Sequence, residues 1–135
     1  MIRLSDGAAD RMAGALAAAC DAAQAPGTVT FYSGAMPATP NTATRETALA
    51  RFALDRPSFN IARRGIVAAR PVADTTALAT GRVGWARIAD GDGRTVLDCD
   101  VGEMDGAEVI KLNIRNLVQG GPVTLDALSF AMPRA

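Results

Sequence analysis

The chain has no histidine and a single lysine among its 135 residues. Without histidine it lacks the commonest general base and metal ligand, and no Ser-His-Asp arrangement can be built. Schiff-base or Ser-Lys chemistry would rest on Lys111 alone, which alternates with Ile110 and Leu112 and is expected to face solvent from a strand. Its two cysteines, Cys20 and Cys99, are too far apart in sequence for the close spacing of a zinc site or redox pair, and are expected to be small buried thiols. Aromatic residues make up only 4% of the chain, so the core must come mainly from Ala, Val, Leu and Ile.

Net charge is also missing. Fourteen basic and fourteen acidic residues cancel, which removes the long-range attraction that a nucleic-acid or anionic-membrane binder uses. No apolar run approaches a membrane span, and "MIRLSDGAADRM" has no apolar signal core. The expectation is a protein made soluble in the cytoplasm, with neither nucleic acid nor membrane as partner.

What is present reads as one domain over residues 1–135, with a helix at 5–24 and a β-sandwich at 28–132. Ser5 can cap the helix, Asp6 lies in its first turn, and "APG" at 25–27 ends it. Steps of three and four place Leu4, Ala8, Met12, Leu16 and Ala19 or Cys20 on the packing side.

From residue 28 the period becomes two. "TVTFY" sets Val29 and Phe31 against the threonines, and "ALARFALD" sets Ala50, Phe52 and Leu54 against Leu49, Arg51 and Ala53. Between them "SGAMPATPNTATRE" is a loop, because Pro37 and Pro40 cannot join a ladder. It has room to reach a neighbouring molecule. Beyond Pro57, "SFNIA", "GIVAARPV", "GRVGWARIA", "TVLDCDV", "EVIKLNI" and "PVTLDALSFAM" read as further strands, separated by the turn signals "RRG", "DGDG", "GEMDG" and "QGG". The pattern predicts a mainly β fold, an antiparallel β-sandwich of jelly-roll type with about seven or eight strands and one N-terminal helix.

Three places invite a chemical reading. In "ADGDGRT", Asp90, Asp92 and Gly93 match the opening of a calcium loop, but the sequence returns at once to strand alternation without the distal glutamate; Asp-Gly pairs also suit a tight hairpin turn. Asp98 and Asp100 share a strand face, as a carboxylate pair for glycoside hydrolysis would, though few aromatics are available as a sugar platform. Trp85 alternates with Val83 and is expected to anchor the small-residue core, with a binding hot spot as the other reading. No residue is assigned as catalytic, cofactor-binding or metal-ligating.

Charge is polarised along the chain. Asp90, Asp92, Asp98, Asp100, Glu103, Asp105 and Glu108 face only Arg94 as counterweight, whereas Arg45, Arg51, Arg56, Arg63, Arg64 and Arg70 outnumber Glu46 and Asp55. Either the two segments are neighbouring strands that pair within the chain, or they meet across adjacent protomers.

Taken in order, "RLSDGAADRMAGAL", "GTVTFYSGAMPATP", "ALARFALDRPSFN", "ATGRVGWARIADGDGRTVLDCDVG" and "KLNIRNLVQGGPVTLDALSFAMPRA" resemble a group of small structural proteins of tailed bacteriophages and prophages. The group's features are a "YSG-x-x-P" type of turn, a "DP-x-F" type of bend, which reads "DRPSF" here, a Trp-containing strand before a turn, a "VG" turn, and a terminal "SF-x-x-P-A" type of strand, which reads "SFAMPRA" here. The resemblance implies a non-enzymatic virion component without cofactors, most simply a capsid-decorating or cement protein. A tail- or neck-associated protein, or a carbohydrate- or host-surface-binding module, are the alternatives. It further implies self-association, contact with the major capsid or tail protein, and residence in the virion after synthesis in the bacterial host cytoplasm. The Arg-rich span at 45–70 departs from the pattern of that group.

Overall fold

The structure, a computed structural model, describes residues 2–60, 62–102 and 110–131. It is mainly β. One helix, α1 (Asp6–Cys20), precedes β1 (Thr28–Tyr32), β2 (Ala48–Ala53), β3 (Ile66–Ala68), β4 (Thr75–Thr76), β5 (Gly81–Arg82), β6 (Trp85–Ala89), β7 (Thr95–Gly102), β8 (Ile110–Leu112), β9 (Asn116–Leu117), β10 (Pro122–Val123) and β11 (Leu125–Ala131).

The helix starts where the sequence says, with the Ser5 hydroxyl accepting the Ala8 N–H at 3.2 Å. It stops four residues earlier than expected. Asp21 leaves the helical track because its carboxylate accepts the Ser58 N–H at 3.1 Å, while the Arg56 guanidinium donates to the Asp21 and Ala25 carbonyls. The carbonyl of the C-cap residue and one in the segment after it are thus met by a side chain more than thirty residues away. The packing face is also rotated from the expected one. Ala9, Ala13 and Cys20 are buried and Leu16 packs beside them, whereas Met12 stays 49% exposed.

Seven strands form one curled sheet in the order β2-β1-β6-β7-β8-β11-β3, and two ribbons, β4 with β10 and β5 with β9, stand beside it. The expected all-antiparallel pairing holds except between β7 and β8, which run parallel with Val101 opposite Ile110. The strand count is higher than expected because two runs break, with Val83 and Gly84 separating β5 from β6 and Thr124 separating β10 from β11, and because two short strands, β4 and β9, form where none was expected. Of "SFNIA", Phe59 makes only an isolated bridge to Ala69, and Ile61 lies outside the described residues.

Strand alternation sends Val29, Phe31, Ala50, Phe52, Ala86, Ile88 and Cys99 to one face. They join one hydrophobic cluster with Ala13 and Cys20 of the helix and with Ala77, Val83, Leu117 and Val123 of the ribbon region. The four phenylalanines form two pairs toward opposite ends of the sheet: Phe31 meets Phe52 edge-on at 5.6 Å, and Phe59 tilts against Phe130 at 5.4 Å. Between them the core is aliphatic, as the scarcity of aromatics requires. Arg115 clasps the ribbons by donating twice to the Val83 carbonyl, at 2.8 and 3.1 Å.

Candidate functional site: a roofed cavity on the polar face of the sheet

The opposite face of the same strands is polar and is not a simple solvated surface. Thr28, Thr30 and Tyr32 alternate along β1, and antiparallel register puts Arg51 of β2 and Arg87 of β6 on either side of Thr30. Asp98 of β7 lies opposite Arg87, so a row Arg51–Thr30–Arg87–Asp98 crosses four strands. Arg51 Nε donates to the Thr30 hydroxyl at 3.2 Å. Arg87 and Asp98 form a two-pronged ion pair at 2.7 and 3.0 Å, with side chains only 10% and 2% exposed. The Asp98 hydrogen bond raises the Arg87 pKa above its ordinary value despite the opposing effect of burial.

Trp85 belongs to this face. It is fully buried, yet it stacks on Tyr32 at 4.7 Å and lies 5.3 Å beneath the Arg87 guanidinium, while its strand neighbour Ala86 faces the hydrophobic cluster. The expectation that it anchors the main core with Val83 is therefore corrected. Gly84 interrupts the alternation: its N–H bonds to the Tyr32 carbonyl, and a Cβ there would collide with the Gly34 carbonyl. That close approach of two backbones resets which side the next residue faces.

The loop after β1 folds back over this row. Residues 40–44 partly roof a half-open cavity of about 590 Å³ whose floor includes Thr28, Thr30 and Tyr32 and whose sides include Thr95, Arg87 and the exposed Arg51. The loop expected to reach a neighbour thus lines a cavity of its own chain. Asn41 and Thr42 are held in the roof by Thr39, which accepts the Asn41 N–H with its hydroxyl and the Thr42 N–H with its carbonyl.

Asp90 closes one end. Its Oδ1 accepts the N–H groups of Asp92 and Arg94, both at 3.0 Å, and Gly93 adopts the positive φ that the turn needs. The "DGDG" motif is therefore a hairpin turn in which the first aspartate binds its own backbone. Among the described residues no group of three or more Cys, Asp or Glu is placed to hold a metal ion.

The other sequence candidates fall as follows. Asp98 and Asp100 do share a face, but Asp98 is committed to Arg87 and Asp100 is exposed. Lys111 is half-buried on β8. Cys20 and Cys99 are free and buried, and desolvation pushes their thiols up to about 11 and about 12, so neither is a thiolate near neutrality. The acidic and Arg-rich segments are not neighbouring strands: β1 and β6 separate β2 from β7, and β11 and β8 separate β3 from it. Among the described residues no ion pair joins them; Arg70 pairs with Asp55 inside its own segment at 3.3 Å. Glu103, Asp105 and Glu108 lie outside the described residues.

Sequence reasoning missed the cavity, although one signal was present. Thr28, Thr30 and Tyr32 make a polar stripe on a strand that is paired on both sides, although an antiparallel sheet commonly leaves such a face to solvent. No family model, no curated protein and no solved structure matches this chain.

Proposed function

We propose that the chain is a non-enzymatic structural component of a tailed-phage or prophage virion, of the capsid-decorating or cement type. The observation that supports this reading is the use of charged side chains as internal clasps between distant backbone segments. Asp10 holds the Gly65 N–H at 2.6 Å, Asp21 holds Ser58, Arg56 holds the helix end and Arg115 holds Val83. A small domain tied in this way is suited to bearing load in an assembly. The ordered motifs that resemble phage structural proteins point the same way. In this reading the fold is a jelly-roll-like sandwich in which the helix and the two ribbons take the place of a second sheet. Its partners are further copies of itself and the major capsid or tail protein.

The test is mass spectrometry of particles purified from a lysate of the strain that encodes the chain, with heads and tails separated. Recovery in fixed stoichiometry with heads is the expected result. Recovery with tails only would move the protein to the tail, and absence from all particles would overturn the virion reading.

The cavity favours a second reading, a module that binds a carbohydrate or host surface, because its lining is rich in hydroxyl groups and includes Tyr32.

A further inference from the structure

We infer that the roofed cavity is a binding site for a short acidic oligosaccharide, a sugar chain carrying a single carboxylate within the site. The inference deepens the carbohydrate-binding reading and is independent of the virion reading, since it concerns the isolated chain.

β1 is paired with β2 on one side and β6 on the other, so its backbone groups are consumed by the ladders. An extended peptide, which is recognised largely through backbone hydrogen bonds to an open strand, finds none on this floor. Recognition falls to side chains at alternate positions, and these carry hydroxyls. Thr28 of the floor, Thr95 of the wall and Thr42 of the roof line the cavity, and their hydroxyls have no partner among the described residues. Each can donate one hydrogen bond and accept two, which matches a ligand whose own hydroxyls do both.

Charge narrows the class. Arg87 is neutralised by Asp98, so Arg51 is the one cavity-lining guanidinium without an ion-pair partner among the described residues. Its Nε is committed to Thr30, leaving the two terminal nitrogens for a ligand, an arrangement suited to a carboxylate. A phosphate with two charges would need a second free cation and would meet Asp90 at the cavity's end. With Asp90 and the Arg87–Asp98 pair counted the site is already neutral, so a ligand can bring one carboxylate to the free nitrogens of Arg51 but not a second charge. The volume of about 590 Å³ falls within the range of small-molecule pockets.

Isothermal titration calorimetry on the intact chain tests this with oligomers of galacturonate, glucuronate and mannuronate, the methyl esters of the same oligomers, and acetate. The ester keeps the hydroxyls and removes the charge; acetate keeps the charge and removes the hydroxyls. The expected result is binding of at least one uronate oligomer, with its ester at least about tenfold weaker, a difference of about 1.4 kcal/mol. Acetate should fail to displace it at equal concentration. Arg51→Gln should abolish the preference for acid over ester, and Thr42→Val should weaken both ligands; both variants lie on the surface of the cavity and should keep the native circular dichroism spectrum. Binding of none of the three oligomers up to about 10 mM would overturn the inference. So would an ester as tight as its acid, displacement by acetate, or unchanged affinity in both variants. Loss of uronate binding would leave the virion assignment untouched, because that rests on recovery from particles.

Discussion

The two faces of the seven-stranded sheet are made by the same strands and differ in how they are closed. One is covered by the helix and ribbons and filled with aliphatic side chains and phenylalanine pairs. The other carries a buried ion pair, a Trp–Tyr stack and a row of threonines under a loop. Burial alone therefore does not define the core of this protein. Trp85 and Phe31 are both fully buried, but Phe31 is held by apolar packing, whereas Trp85 sits among groups that fix geometry. A buried Arg–Asp pair adds little net stability over an apolar replacement, yet it strongly penalises any arrangement that separates its members.

Stability should be most sensitive at the deepest residue of each face. Phe31→Ala should cost about 3–5 kcal/mol by urea denaturation, from lost transfer energy and the cavity left beside Phe52. Asp98→Ala should cost a similar amount, about 3–5 kcal/mol, for a different reason: Arg87 would be left buried without a counter-charge. The double replacement Arg87→Met with Asp98→Leu separates these causes. It should recover most of the loss, because two apolar groups need no partner, and a double variant as unstable as Asp98→Ala would mean that the polar face depends on the pair itself.

Next in size is Asp90→Ala, which removes two hydrogen bonds inside a hairpin turn and should cost about 1–2 kcal/mol. Alkaline pH should then distinguish the faces, since both thiols lie on the apolar side. Unfolded thiols ionise near 9.0, while burial holds Cys20 and Cys99 protonated to about 11 and about 12. A raised folded pKa gives a contribution that is complete below pH 9 and is lost as pH climbs from there through the folded values. Stability should therefore fall across that window, and Cys20→Ala with Cys99→Ala should flatten this part of the fall. The mildest change belongs to Thr28→Val on the cavity floor, within about 0.5 kcal/mol, because its hydroxyl has no partner to lose among the described residues.

Local pattern makes the apolar face legible from the sequence alone. "TVTFY" forms β1 with the expected residues inward, and "ALARFALD" forms β2 with Ala50 and Phe52 buried and Leu54 buried just beyond it, although Leu49, expected on the opposite side, is buried as well. Ser5 and the "DGDG" turn are readable because their chemistry is satisfied within four residues. The misses depend on long-range partners. The helix end is set by Arg56 and Ser58, and the side that Trp85 faces is set by the approach of Gly84 to Gly34. The parallel pairing of β7 with β8 leaves no mark in strand alternation, which is the same for either direction. The roof is legible as a loop from Pro37 and Pro40, but its seat over Thr28 and Thr95 is a tertiary fact.

If the polar face is a closed, built layer, the single tryptophan reports on it without labelling. Acrylamide quenching of Trp85 fluorescence measures its access to solvent directly. A closed layer requires a blue-shifted native emission quenched several-fold less than in the urea-unfolded chain, with protection lost in Asp98→Ala before the apolar core melts. Native quenching equal to that of the unfolded chain would place Trp85 in solvent and contradict a closed polar layer.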